Sequence, residues 1–124
     1  MANPNILAAV SIIGENSLTS LTGTSATSIL SNAASSNKVY KINSIIVSNV
    51  DGTSPADITI SVYSAAALGG TAFPIVSTLS VPADASVIVV DKSTGIYIKE
   101  NQSIGATAGT ANDLVVVASW EEIN

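Results

Sequence analysis

The sequence predicts an all-β fold, an antiparallel β-sandwich of jelly-roll type with eight or nine strands. Three observations carry that prediction. From Lys38 to Glu122 the chain is a string of short apolar–polar alternations, the period-two pattern of strands with one face buried. Pro, Gly, Asn and Asp clusters punctuate this pattern roughly every 8–12 residues, the spacing of a sandwich or barrel. No segment sustains the apolar spacing of a helix. The 124 residues suit one domain spanning 1–124, long enough to bury a real core. Within it, residues 1–10 read either as an N-terminal arm or as the first strand.

Met1 to Asn5 form a polar, Pro-containing start, and Ile6 to Ile13 have the composition of a strand. Gly14-Glu15-Asn16 reads as a turn. Residues 17–37 are rich in Ser, Thr and Ala, with one strand expected near Thr24 to Ser31 and a loop through Ala33 to Asn37. From Lys38 the pattern sharpens. Tyr40, Ile42, Ile46 and Val50 fall on one face of an extended chain, and Val39, Ile45 and Val47 on the other. After the Asp51-Gly52 turn, Ile58, Ile60 and Val62 alternate with polar partners. Ile75 and Leu79 belong to the next strand, which ends at Val81-Pro82. Val87 to Val90, Ile96 to Ile98, Ser103 to Thr107 and Leu114 to Glu122 complete the set. The expected core is Ile42, Ile46, Ile58, Ile60, Val62, Ile75, Leu79, Val87, Val89, Ile96, Ile98, Ile104, Leu114, Val116 and Trp120.

The chain is 47% hydrophobic and only 10% charged, with a mean hydropathy of +0.49. An ordinary soluble domain carries about 25% charged residues. The longest apolar runs, such as Leu114 to Ala118, are far short of the roughly 20 residues that a membrane helix needs. No cationic start precedes Ile6 to Ile13, as a secretory signal would require. Apolar surface buried between protein partners is the reading that remains. Two strands agree with it. Leu114 to Ser119 carries Val115 and Val117 on its second face, and Val87 to Val90 is apolar on both faces. A second subunit is one source of cover, and residues 17–37 folding over the sheet are another. The candidate partner-contact residues are therefore Ile6, Leu7, Val10, Ile88, Val90, Val115 and Val117.

The chemistry-bearing residues are sparse. There is no Cys and no His, and the four cations (Lys38, Lys41, Lys92, Lys99) are scattered in a chain of net charge −5. That excludes a basic track for nucleic acid and the usual ligands of transition metals. No cofactor is expected. The nine carboxylates sit mostly at turns, where Asp caps the loop with its own side chain. The segment Asp51 to Asp57 only faintly resembles a calcium loop, lacking alternating acidic ligands and a terminal Glu. Serine has no histidine base, and a Ser–Lys pair is the one nucleophile arrangement left. Trp120 reads as a core plug rather than a sugar-stacking platform. A non-enzymatic protein is expected.

The ordered motifs carry a resemblance. Val39 to Gly52 (VYKINSIIVSNVDG), Ala56 to Tyr63 (ADITISVY), Val81 to Asp84 (VPAD), Ile96 to Ile104 (IYIKENQSI) and Val116 to Ile123 (VVASWEEI) follow one another as in small virion proteins of tailed bacteriophages. The chain resembles that family over roughly residues 28–124. Asn101-Gln102 stand where the family has Gly-Asp, and Trp120 where it has Tyr. The resemblance implies a virion structural protein of sandwich or jelly-roll fold. The leading expectation is a capsid decoration or cement protein that stabilises the outer shell. It would act as a homo-oligomer, trimer or dimer, on a larger assembly such as the major capsid protein, without nucleic acid or membrane. Three alternatives stand beside it: a tail, collar or baseplate component, a glycan- or receptor-binding module, and a cellular adhesin or pilus-like subunit.

Overall fold

Nine strands form two antiparallel sheets in the computed structural model, which describes residues 3–124. They are β1 (Ile12–Leu21), β2 (Thr27–Asn32), β3 (Val39–Asn49), β4 (Ala56–Ala65), β5 (Gly69–Val81), β6 (Ser86–Val90), β7 (Ile96–Ile98), β8 (Gln102–Ala108) and β9 (Leu114–Ile123). One sheet runs β1-β9-β3-β6, with β7 pairing β3 on the same side as β6; the other runs β2-β8-β4-β5. With β6 and β7 taken as one interrupted strand, this is the strand order of a jelly roll, two interleaved Greek keys. The predicted sandwich is the observed fold. Among the described residues there is no α-helix.

The core lies between the sheets. Ile45, Val47, Val116 and Ala118 come from the first sheet, and Ile58, Ile60, Ile104 and Ala106 from the second. Trp120 is in the core, its ring stacked on Tyr40 with centroids 6.0 Å apart and planes at 29°. Three buried polar side chains act as clips. Asn32 Nδ2 donates to the carbonyls of Lys38 and Ile98; Asn49 Nδ2 donates to those of Ser54 and Val81. Ser103 Oγ donates to the Ala65 carbonyl and accepts from the Leu68 amide. Each satisfies backbone groups that a turn would otherwise bury unpaired.

Several expectations need correction, most for the same reason. In β3 the register with β9 shifts between Ile42 and Ser44. One extra residue reverses which side chains face inward. Ile42 is therefore buried, but the inward set continues with Ile45 and Val47, while Ile46 turns outward and is only partly covered. A second shift, opposite Ile45 and Ile46, skips Val89 in β6. It leaves Ile88 outside and Val90 fully buried, so Val90 is a core residue and not a surface one. Val62, Ile75, Val87, Val89 and Ile96 pack on the core while half-buried. Leu79 lies on the edge strand β5 and stays exposed.

Residues 3–21 also depart from expectation, while Met1 and Ala2 of the expected polar start lie outside the described residues. Gly14-Glu15-Asn16 lie within β1, paired in unbroken register with Ser119 to Glu121, and make no turn. Ile6–Ala8 form a 3-10 turn capped by Asn5 Oδ1, so only Ile12 and Ile13 of the expected first strand are extended in the sheet. The segment from Asn3 folds back on its own subunit. Asn3 Oδ1 accepts from the Glu100 amide, and the amides of Val10 and Ser11 both donate to the Asn124 carbonyl. Pro4 and Ile6 lie beside Val39 and Tyr97, which accounts for the burial of Val39 on the outer side of β3.

Candidate interaction surface

The outer face of the first sheet carries a row of apolar side chains over which no other described segment folds. The registers place Leu18 (β1) opposite Val117 (β9), Val117 opposite Ile46 (β3), and Ile46 opposite Ile88 (β6). Strands sit about 4.8 Å apart, so this row is roughly 14 Å long. Leu18 is 72% exposed, Ile88 66% and Val117 37%. Rows of short side chains, polar except for Val115, flank it. On one side stand Ser20, Val115, Ser48 and Ser86, with the Ser48 and Ser86 hydroxyls 2.8 Å apart. On the other stand Asn16, Ser119 and Ser44. An apolar stripe framed by small polar groups suits a flat protein partner. Fully burying one such side chain is worth about 1.5–3 kcal/mol.

Of the residues singled out from the sequence, Val117, Ile88 and the half-buried Val115 come together on this face. Ile6, Leu7 and Val10 lie apart, in the segment beside Asn124; Leu7 is 98% exposed and Ile6 is turned partly toward the sheet. Sequence reasoning missed Leu18 and Ile46. Leu18 was hidden by the Ser/Thr-rich composition around it, and Ile46 by the bulge that redirects β3. The legible clue was Val115 and Val117, since a strand apolar on both faces implies apolar neighbours on the outer one.

Asp51 and Asp91 behave as turn caps. Asp51 Oδ1 accepts from both the amide and the hydroxyl of Thr53, at 3.0 and 2.9 Å. Asp91 does the same for Ser93, whose hydroxyl and amide hold its carboxyl below the usual carboxylate range. Among the described residues, no group of three or more acidic, His or Cys side chains is arranged to hold a metal ion. Asn101, where the resembling family has Gly, adopts a φ of 59°, a left-handed conformation that Asn tolerates. Gln102 Oε1 accepts from the Lys99 amide and tightens the same turn.

Two groups near the sheet end make stability sensitive to alkali. Lys38 Nζ donates to Glu122 Oε1 at 3.1 Å, and that bond, with the charge attraction behind it, pushes the ammonium pKa up. Burial raises the pKa of the Tyr40 phenol, and the Glu122 carboxylate adds to the rise. Both groups hold their protons more tightly folded than unfolded. Their stabilising contributions are whole below about pH 10 and are lost as pH rises through the folded values. The melting temperature is expected to fall above about pH 10, and less steeply in Tyr40→Phe. Thermal melts by circular dichroism from pH 8 to 11 check this; equal slopes for parent and variant would count against the phenol's share.

No protein-family model and no curated protein matches this chain. Solved structures do. A protein of Bacillus endospore appendages, described as a family of disulfide-linked pili, superposes with a TM-score of 0.54 at 16% identity over 100% of this chain and 96% of that one. A chain of the acid-stable capsid of Helicobacter pylori bacteriophage KHP30 gives 0.55 at 8% identity, over 94% and 90%. A protein of the T13 particle of infectious bursal disease virus gives 0.53 at 6% identity, over 93% of this chain but 31% of its own. The fold is capsid-like. At these identities the likeness is one of fold, shared by viral capsid proteins and a pilus protein alike. This chain has no cysteine with which to form disulfide links.

Proposed function

We propose that this protein is a non-enzymatic virion structural protein, a decoration or cement subunit that docks on the outer capsid shell and stabilises it. The observation that carries the reading is the uncovered row Leu18–Val117–Ile46–Ile88 on the outer face of a capsid-like jelly roll. Asp51 and Asp91 cap turns, Glu122 pairs with Lys38, and the described residues bring no nucleophile together with a base, which supports a structural rather than a catalytic role. A row of four side chains gives modest affinity per copy. Copies arrayed on a shell gain strength from repetition when they are also joined to one another. The glycan-binding reading finds little support: Trp120 is buried, and the exposed rings of Tyr97 and Phe73 lie in different sheets.

The test is location and occupancy. Gold-labelled antibody on purified particles is expected to spread over the head. Label confined to the tail, or no label on particles, would overturn the capsid reading, the first outcome in favour of a tail, collar or baseplate role. A double variant, Ile88→Lys with Val117→Lys, is expected to stay folded, because exposed positions usually tolerate substitution within about 0.5 kcal/mol. It is expected to lose most of its occupancy on particles when added back to stripped shells. Full occupancy by the folded variant would remove the apolar row from the docking surface.

A further inference from the structure

We infer that β1 is a self-pairing edge: two copies of this chain join β1 to β1 about a two-fold axis, making one continuous sheet eight strands wide, with β6 and β7 counted as one interrupted strand. The inference concerns the free protein and stands whether or not the capsid reading holds. The bonds to β9 show which groups of β1 are unused. Ser11 and Asn124 exchange both backbone hydrogen bonds, each at 3.1 Å. Bonded and non-bonded pairs alternate along an antiparallel ladder, and the β1–β9 register is unbroken to Leu21 and Leu114. The amides and carbonyls of Ile12, Gly14, Asn16, Leu18 and Ser20 therefore point away from β9, where the sheet has no further strand.

This edge is long and regular, with no proline, lysine or bulge, and Glu15 is the one charged side chain along it. The other edges are guarded. Strand β2 is six residues long and bulged at Ile29. Strand β5 carries Pro74, repeated register shifts and a φ of 48° at Thr78. Strands β6 and β7 are interrupted by the turn around Asp91 to Gly95. A neighbouring copy thus offers β1 one matching edge, its own β1. The N-terminal segment is not the occupant, since its bonds to Asn124 and Glu100 lead it across β9 toward β7 and away from this edge.

One antiparallel register uses all five free positions. It sets Asn16 opposite the partner copy's Asn16, Gly14 opposite Leu18, and Ile12 opposite Ser20. Glu15 then faces Ser17. Two registers lie one pairing step away: Gly14 opposite Asn16 sets Glu15 against Glu15, which like-charge repulsion disfavours, and Asn16 opposite Leu18 leaves Ile12 facing Thr22, past the end of the strand. Gly14 has open space where a side chain would stand, leaving room for Leu18 of the other copy. Paired residues share a face in an antiparallel sheet, so both apolar rows come to lie on one side of the dimer. The contact is isologous and closes at two copies.

Light scattering of the free protein is expected to give twice the chain mass of 12.4 kDa. The Leu18 amide bonds nothing within its own subunit, so Leu18→Pro is expected to keep the β-sheet circular dichroism signal and fall to monomer. Asn16→Cys introduces the chain's first thiol. Opposed residues of a bonded pair have Cα atoms about 5.5 Å apart, within disulfide reach. Mild oxidation is expected to convert nearly all of Asn16→Cys to covalent dimer, while Ser93→Cys, on a remote exposed turn, converts little. A monomeric parent, an open-ended polymer, or equal cross-linking of the two thiol variants would overturn the inference. If Leu18→Pro fails to fold, the thiol pair and the parent's mass decide the matter.

Discussion

Ile60→Ala is expected to lower the unfolding free energy by about 2–5 kcal/mol, the range for emptying a packed aliphatic site. Ile60 is fully buried in β4, between Ala106 of β8 and Val76 of β5, and faces the opposite sheet. Its neighbours belong to a β ladder held by backbone bonds, so they cannot collapse far into the void. Removing the side chain forfeits transfer energy and leaves a cavity as well. The melting temperature is expected to drop by roughly 10 °C or more, given several degrees per kcal/mol for a domain of this size. Urea denaturation measures the loss, with Ile88→Ala as the exposed control, expected within about 0.5 kcal/mol of the parent. A loss for Ile60→Ala as small as that of the control would mean that the site repacks.

Asn49→Ala is expected to cost about 2–3 kcal/mol, from stranding a buried carbonyl and losing further bonds. Asn49 ends β3 and reaches across the sandwich. Its Nδ2 donates to the Val81 carbonyl, at the end of β5 in the other sheet, and to the Ser54 carbonyl, both at 3.0 Å. Its Oδ1 accepts from the Asp51 amide at 2.9 Å. The side chain is buried, so water does not readily replace it. Asn49→Asp separates charge from size. At neutral pH a carboxylate would face two carbonyls, and the loss is expected to exceed that of the alanine variant. Protonation restores a donor, so this variant, unlike Asn49→Ala, is expected to regain stability relative to the parent as pH falls. Denaturant melts at pH 7 and pH 4 compare the two; parallel behaviour would show that Asn49 acts by filling space.

By itself, the sequence determined the fold class and most strands from β3 onward. Period-two alternation is a local property, written in neighbouring residues wherever one face of a strand is buried. Val115 and Val117 likewise announced an apolar outer face, because a strand apolar on both sides has to meet something on each. The tertiary structure decided what local pattern could not. Single-residue bulges in β3 and β6 sent Ile46 outward and Val90 into the core. A bulge is set by the pairing of two strands distant in sequence, so neither strand alone records it. Strand β1 is the clearest case. Its Gly, Asn and Ser composition reads as a turn, yet ten consecutive pairs with β9 hold it extended. Backbone bonds to a partner strand outweigh weak local preference, and only that pairing reveals which of its amides remain free.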